Sequence, residues 1–160
     1  MHTPDAVLAA RELLHYATPL KSDCGRLCGA ACCEGDEQTG MLLFPGEEAL
    51  YQGCDFARVL HADFTLAGRQ ALLLICEGRC ARENRPLACR LFPLFLQFKE
   101  DGSTRVKLDT RARAVCPLCG YGLSALDPAF RAAARQAYDL LLEDELCAAY
   151  LKALQKAFTL

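Results

Sequence analysis

"LFLQFKEDGSTRVKL", residues 94–108, decides the fold class. Leu94–Phe98 and Arg105–Leu108 alternate apolar with polar residues on either side of Glu100-Asp101-Gly102-Ser103, the pattern of two antiparallel strands joined by a turn. A second hairpin lies upstream, where Phe64-Thr65-Leu66 and Ala71–Ile75 flank Gly68-Arg69. Met41–Phe44 reads as a further short strand leading into the Pro45-Gly46 turn, and Glu47–Gln52 as a short helical segment. Glu47 and Glu48 are adjacent, so they do not face one another on a helix, and both are assigned to a solvated face.

Helices bracket these strands. Thr3-Pro4-Asp5 offers a capping hydroxyl, a proline at the first helical position and an acid in the first turn, and predicts a helix to about Tyr16 that stops before Pro19. Asp127-Pro128 repeats the start. From Phe130 to Phe158 the apolar residues fall near helical spacing, with Glu143-Asp144-Glu145 as a dividing point between two helices. The sum is one α+β domain over residues 1–160, with terminal helices, short antiparallel hairpins and a cysteine-rich, metal-binding loop region. The metal-binding core is expected at residues 23–120 and the carboxy-terminal helical segment at 127–158.

Charge and hydropathy exclude several roles. Eighteen basic residues against twenty acidic ones give a formal charge of −2, without the basic footprint of a nucleic-acid binder. The longest apolar run, Ala71 to Cys76, is far too short to span a bilayer, so no membrane partner is expected. MHTPDAVLAARELLHY lacks the basic start, apolar run and small-residue cleavage site of a signal peptide, which predicts a cytoplasmic protein.

The chain carries eleven cysteines. Cys24, Cys28, Cys32 and Cys33 form one group, Cys76, Cys80 and Cys89 a second, and Cys116 and Cys119 a third, in "CPLC". Disulfide scaffolds of this density belong to small secreted domains, whereas clustered thiols in a reducing compartment are metal ligands or catalytic groups. Thiolates are soft ligands suited to zinc and to iron–sulfur clusters, and short C-x₂₋₄-C spacings let one turn supply two of them. Glycines after Cys24, Cys28 and Cys119 let the backbone curl around an ion, and Pro117 fixes such a turn. If the first group is helical, Cys24, Cys28 and Cys32 share one face while Cys33 points elsewhere. These nine cysteines are the candidate metal ligands. Cys54 and Cys147 stand alone and are read as small buried hydrophobes.

Other thiol chemistries fit less well. "CPLC" has the spacing of a thioredoxin-type redox pair, but no βαβ pattern precedes it. His2, His15 and His61 have no ligand spacing to a cysteine, which argues against a Cys₂His₂ finger. Arg85 and Arg90 could donate to thiolate sulfurs, reducing the negative charge of a tetrathiolate site. Surface ion pairing is the alternative for both. Arg90 lies between Cys89 and the Leu-Phe-Pro run, and is assigned the structured role.

"CGRLCGAACC" followed by "CARENRPLACRLFPL" resembles a cysteine-rich bacterial family described as zinc- or iron-chelating, with an amino-terminal C-x₂-C-x₂-CC and a later C…RP-x₂-CR-x-[FY]-P. A related module occurs in flagellin lysine methylases, where an iron–sulfur centre is expected. The second motif matches through Cys80, Arg85-Pro86, Cys89-Arg90 and Phe92-Pro93. The first departs from it, with three residues between Cys24, Cys28 and Cys32. Cys76 and Cys116 stand where the family carries further cysteines, and the likeness covers residues 23–120. It implies a protein that binds zinc or iron in a structural or metal-handling role. The alternative is an iron–sulfur enzyme or electron-transfer protein, redox or methyltransferase-related. No G-x-G-x-x-G loop for a methyl donor is present, no catalytic residue is assigned, and whether the chain is an enzyme stays open.

Overall fold

The computed structural model describes residues 2–20, 40–76 and 81–158. Among these, helix α1 (Asp5–Leu13) precedes strands β1 (Met41–Leu42), β2 (Ala57–Leu66) and β3 (Arg69–Cys76), then the short helix α2 (Leu87–Leu91). Strands β4 (Leu94–Phe98) and β5 (Thr104–Leu108) follow, and helices α3 (Pro128–Glu143) and α4 (Glu145–Phe158) close the chain. The arrangement is the expected small α+β fold.

The strands form two antiparallel sheets. In the first, β3 lies between β1 and β2. Its turn is Ala67-Gly68, both with positive φ, which suits the right-handed twist of the flanking strands. This sits one residue earlier than Gly68-Arg69, and the two strands together fill the stretch from Phe56 to Cys76, over which the sequence pattern favours strands. The second sheet is the β4–β5 hairpin, paired from Leu94↔Leu108 to Phe98↔Thr104 as the sequence predicts. Gln155 of α4 covers its edge at Phe98, accepting from the amide at 2.7 Å and donating to the carbonyl at 3.0 Å.

The helices behave largely as their sequences direct. Asp127 caps α3 through the Ala129 amide, Pro128 takes the first helical position, and the chain breaks at Asp144, whose carboxylate receives the Cys147 amide at 2.8 Å. At α1 the start differs. Thr3 does not cap the helix; its hydroxyl is buried and donates to the Gly46 carbonyl at 2.8 Å. The helix also ends at Leu13 rather than near Tyr16. Gly46 has φ near +79°, and a Cβ there would stand 2.6 Å from the His2 carbonyl oxygen. Only glycine lets the amino-terminal segment lie this close.

One core joins the sheets to the helices. Phe130, Ala134, Tyr138 and Leu141 of α3 and Cys147, Leu151 and Leu154 of α4 bury against α1, Leu87, Leu91 and the β4 residues Leu94–Leu96. Tyr138 donates to the Leu94 carbonyl at 3.1 Å, tying α3 to β4. Cys147 is fully buried, as expected for a packed thiol.

Burial, with the Asp144 carboxylate beside it, pushes the Cys147 thiol up to about 12. An unfolded cysteine ionises near about 8.5. The folded state therefore holds the proton where the unfolded state has lost it, and stability falls as pH rises through that window. The stability difference between the parent and Cys147→Ala at neutral pH is expected to narrow, in the parent's disfavour, from about pH 8 to about pH 11 in urea titrations. A difference that stays constant would exclude this origin.

Candidate metal centre and its polar frame

The segment between Cys80 and Cys89 is held by four side chains from outside or at the end of it. Glu47, assigned by sequence to a solvated face, is fully buried. This is a correction, and its cause is geometric. Glu47 opens a 3₁₀ turn (Glu47–Tyr51) directly after the left-handed Gly46, which turns its side chain under the fold. One carboxylate oxygen accepts from Arg11 Nη1 at 2.7 Å and from the Leu87 amide at 2.6 Å, and the other accepts from the Phe44 amide at 3.1 Å. Leu87 is the first residue of α2, so the carboxylate satisfies an amide that the helix itself leaves unpaired.

Arg11 and Arg90 then collect carbonyls. Arg11 Nη1 also reaches the Arg85 carbonyl at 2.9 Å and the Tyr51 hydroxyl at 3.2 Å, and Tyr51 donates onward to the Asn84 carbonyl at 2.9 Å. Arg90 is 7% exposed. It donates through Nε to the Arg85 carbonyl (2.8 Å), through Nη1 to the Arg11 carbonyl (2.8 Å), and through Nη2 to the carbonyls of Glu83 (2.9 Å) and Arg82 (3.2 Å). Four consecutive carbonyls, from Arg82 to Arg85, are thus bonded by side chains. The guanidinium fork of arginine supplies this many donors in fixed directions; a lysine cannot.

The electrostatics of the frame are set by burial. It raises the Glu47 carboxyl above its ordinary value against the pull of Arg11 and the two amides, and lowers Arg90, with Arg11 repulsion adding to the effect. Burial also opposes the charge on Arg11, but Glu47 and Tyr51 outweigh it and raise its value. The Tyr51 phenol is pushed up by burial and the Glu47 charge, with a smaller contribution from Cys89, which places that cysteine in the electrostatic field of the frame. Arg90 accordingly has a structured role, directed at backbone carbonyls.

Among the candidate ligands, Cys24, Cys28, Cys32, Cys33 and Cys80 lie outside the described residues. Cys76, Cys89, Cys116 and Cys119 are half-buried, as is Cys54. Cys116 and Cys119 come together. Cys116 precedes a 3₁₀ turn (Pro117–Tyr121) whose first residue is Pro117, and the Cys119 amide returns to the Cys116 carbonyl at 3.2 Å. Burial, with the Cys116 thiol next in weight, pushes Cys119 up to about 11. Cys76 ends β3 and packs with Cys54 against the Leu43–Tyr51–Ala57–Leu74 cluster. Cys54 donates its thiol proton to the Ala57 carbonyl at 3.3 Å, in keeping with a packing role. Among the described residues, no group of three or more histidine, cysteine, aspartate or glutamate side chains converges as a metal site.

Comparison with known proteins adds nothing further: no family model, curated protein or solved structure matches this chain.

The frame was not legible in the sequence, because Arg11, Glu47 and Arg90 are far apart along it. The one available signal was Arg90 itself, flanked by apolar residues. Glu47→Gln sets an amide N–H₂ among donors, and Arg90→Lys strips most of the carbonyl contacts. Each is expected to cost about 3 kcal/mol by chemical denaturation and to speed hydrogen exchange at the amides of Leu87, Arg90 and Phe92. Stability within about 0.5 kcal/mol of the parent would show that the frame is not what holds this segment.

Proposed function

We propose that this protein binds zinc or iron through clustered cysteine thiolates, in a structural or metal-handling role. The observation that carries the reading is the Cys116–Cys119 pair, two thiols presented by one proline-fixed turn in a chain with nine clustered cysteines. The donor set fits a soft, thiophilic metal, and a bound cation would offset the cost of ionising a thiol that burial otherwise keeps protonated. Further support comes from Cys89, which begins no flexible stretch but sits in α2, next to Arg90 and its carbonyl clamp. The resemblance to the zinc- or iron-chelating family points the same way, through Cys80, Arg85-Pro86 and Cys89-Arg90.

In this reading Cys116 and Cys119 supply two ligands, and the others come from Cys24, Cys28, Cys32, Cys33, Cys76, Cys80 and Cys89. Four thiolates around zinc would close a structural site and couple metal binding to folding, whereas an iron–sulfur cluster would add redox chemistry. Nine donors exceed the four that one site takes and could supply two sites, or one site with thiols left for redox or metal transfer; an iron–sulfur enzyme or electron-transfer protein is the alternative reading. The proposed setting is a reducing, cytoplasmic one. No helix of the described residues is long and apolar enough to cross a membrane.

Elemental analysis of protein purified without oxygen tests the reading. Zinc or iron at one or more equivalents per chain is expected, with iron in multiples pointing to a cluster. Serine at Cys116 or Cys119 is expected to lower metal content, as is serine at Cys24, Cys32 or Cys89 if the first cluster and Cys89 share the site, while alanine at Cys54 or Cys147 leaves it unchanged. Metal-free protein, or metal content indifferent to all five serine variants, would overturn the proposal.

A further inference from the structure

A cavity of about 390 Å³ opens between the β2–β3 hairpin, the segment Leu43–Gly46 and α4. Its origin is an irregularity in the hairpin. The register passes from His61↔Leu72 to Thr65↔Gln70, so residues 62–64 of β2 face the single residue Ala71. The bulge leaves ladder carbonyls without strand partners, and the Gln70 side-chain amide takes up two of them, donating to Ala62 and Phe64. The strand bends there, and a space remains with Phe44, Leu66, Ala71, Leu72, Leu146 and Tyr150 among its walls. Its size falls in the range of small-molecule sites.

Tyr150 sets the chemistry. It is 5% exposed and lies against Phe44 with ring centroids 5.1 Å apart. Tyr51 and Tyr138 both donate to carbonyls, whereas no described residue bonds the Tyr150 hydroxyl. The hydroxyl is not among the fully buried unpartnered atoms of the described residues, so it is accessible and can pair with a bound acceptor. Burial, together with the Glu47 carboxylate, keeps the phenol protonated, so it acts as a donor. No cationic side chain is buried in the walls. At the rim stand Glu48, His61 and Arg69, of both charge signs, which select no particular charge on the outer end.

We propose that this cavity binds a neutral, hydrophobic small molecule carrying a carbonyl or equivalent acceptor, its apolar body against Phe44, Leu66 and Leu72 and its acceptor at the Tyr150 hydroxyl. None of the described cysteines lines the cavity.

The test is titration of isotope-labelled protein with 4-phenylbutan-2-one, followed by amide chemical shifts. Saturable shifts are expected at Phe44, Leu66, Leu72 and Tyr150. Tyr150→Phe keeps the ring and its packing and is expected to weaken binding by about 5–10-fold. Leu146→Trp fills the space from the half-buried side of α4 and is expected to abolish it. Absence of saturation, equal affinity in Tyr150→Phe, or undiminished binding in Leu146→Trp would each overturn the proposal.

Discussion

Everything around the Ala81–Cys89 segment depends on the buried Glu47 carboxylate, paired with the half-buried Arg11, and on the buried Arg90 guanidinium. Glu47 alone would be intolerable in the core, and so would Arg90. The arrangement persists because each charge is also bonded to the main chain. Glu47 takes the Leu87 and Phe44 amides, and Arg90 takes carbonyls of Arg82, Glu83, Arg85 and Arg11. Such a network is a poor source of net stability, because desolvation offsets most of its Coulombic gain. What it supplies is definition. The segment has few apolar residues to bury and makes only short helical turns, yet its carbonyls have assigned partners.

This definition matters for a thiolate site. A metal ligand is useful only when its sulfur is held within a few tenths of an ångström, and loops are poor at that unless something rigid supports them. Here the support reaches from α1 through Arg11, from the turn after β1 through Glu47 and Tyr51, and from α2 through Arg90. The described part of the second cysteine segment is thereby connected to the hydrophobic core, which it enters itself only near its end, at Leu87. Cys116 and Cys119 achieve the same by a local device, a proline at the head of a 3₁₀ turn whose Leu118 is buried.

The two parts of the molecule proposed to bind ligands differ in physical character. Cys116 and Cys119 offer soft, ionisable donors on one short turn. The hairpin cavity offers aromatic and aliphatic walls with one hydroxyl, and it exists because the β2–β3 ladder loses its register for a few residues. Bulges are where sheets re-aim side chains, and this one opens the sheet toward α4.

Local information in the sequence was enough for the elements. The β4–β5 hairpin, the Asp127-Pro128 helix start and the break between α3 and α4 each follow from residues within a few positions of one another, where alternation, capping and turn chemistry act directly. The approach of Cys116 to Cys119 was legible for the same reason. Short-range patterns misled where a distant partner won: Thr3 gave up its cap for the Gly46 carbonyl, and Glu47 left the surface for Arg11 and the Leu87 amide. The 3₁₀ turns from Thr110 to Ala125 and the short α2 carry too few residues for any periodicity to show. A buried ion pair, a carbonyl clamp and a bulge-lined cavity are properties of chain segments meeting from dozens of residues apart, and only the tertiary structure brings those segments together.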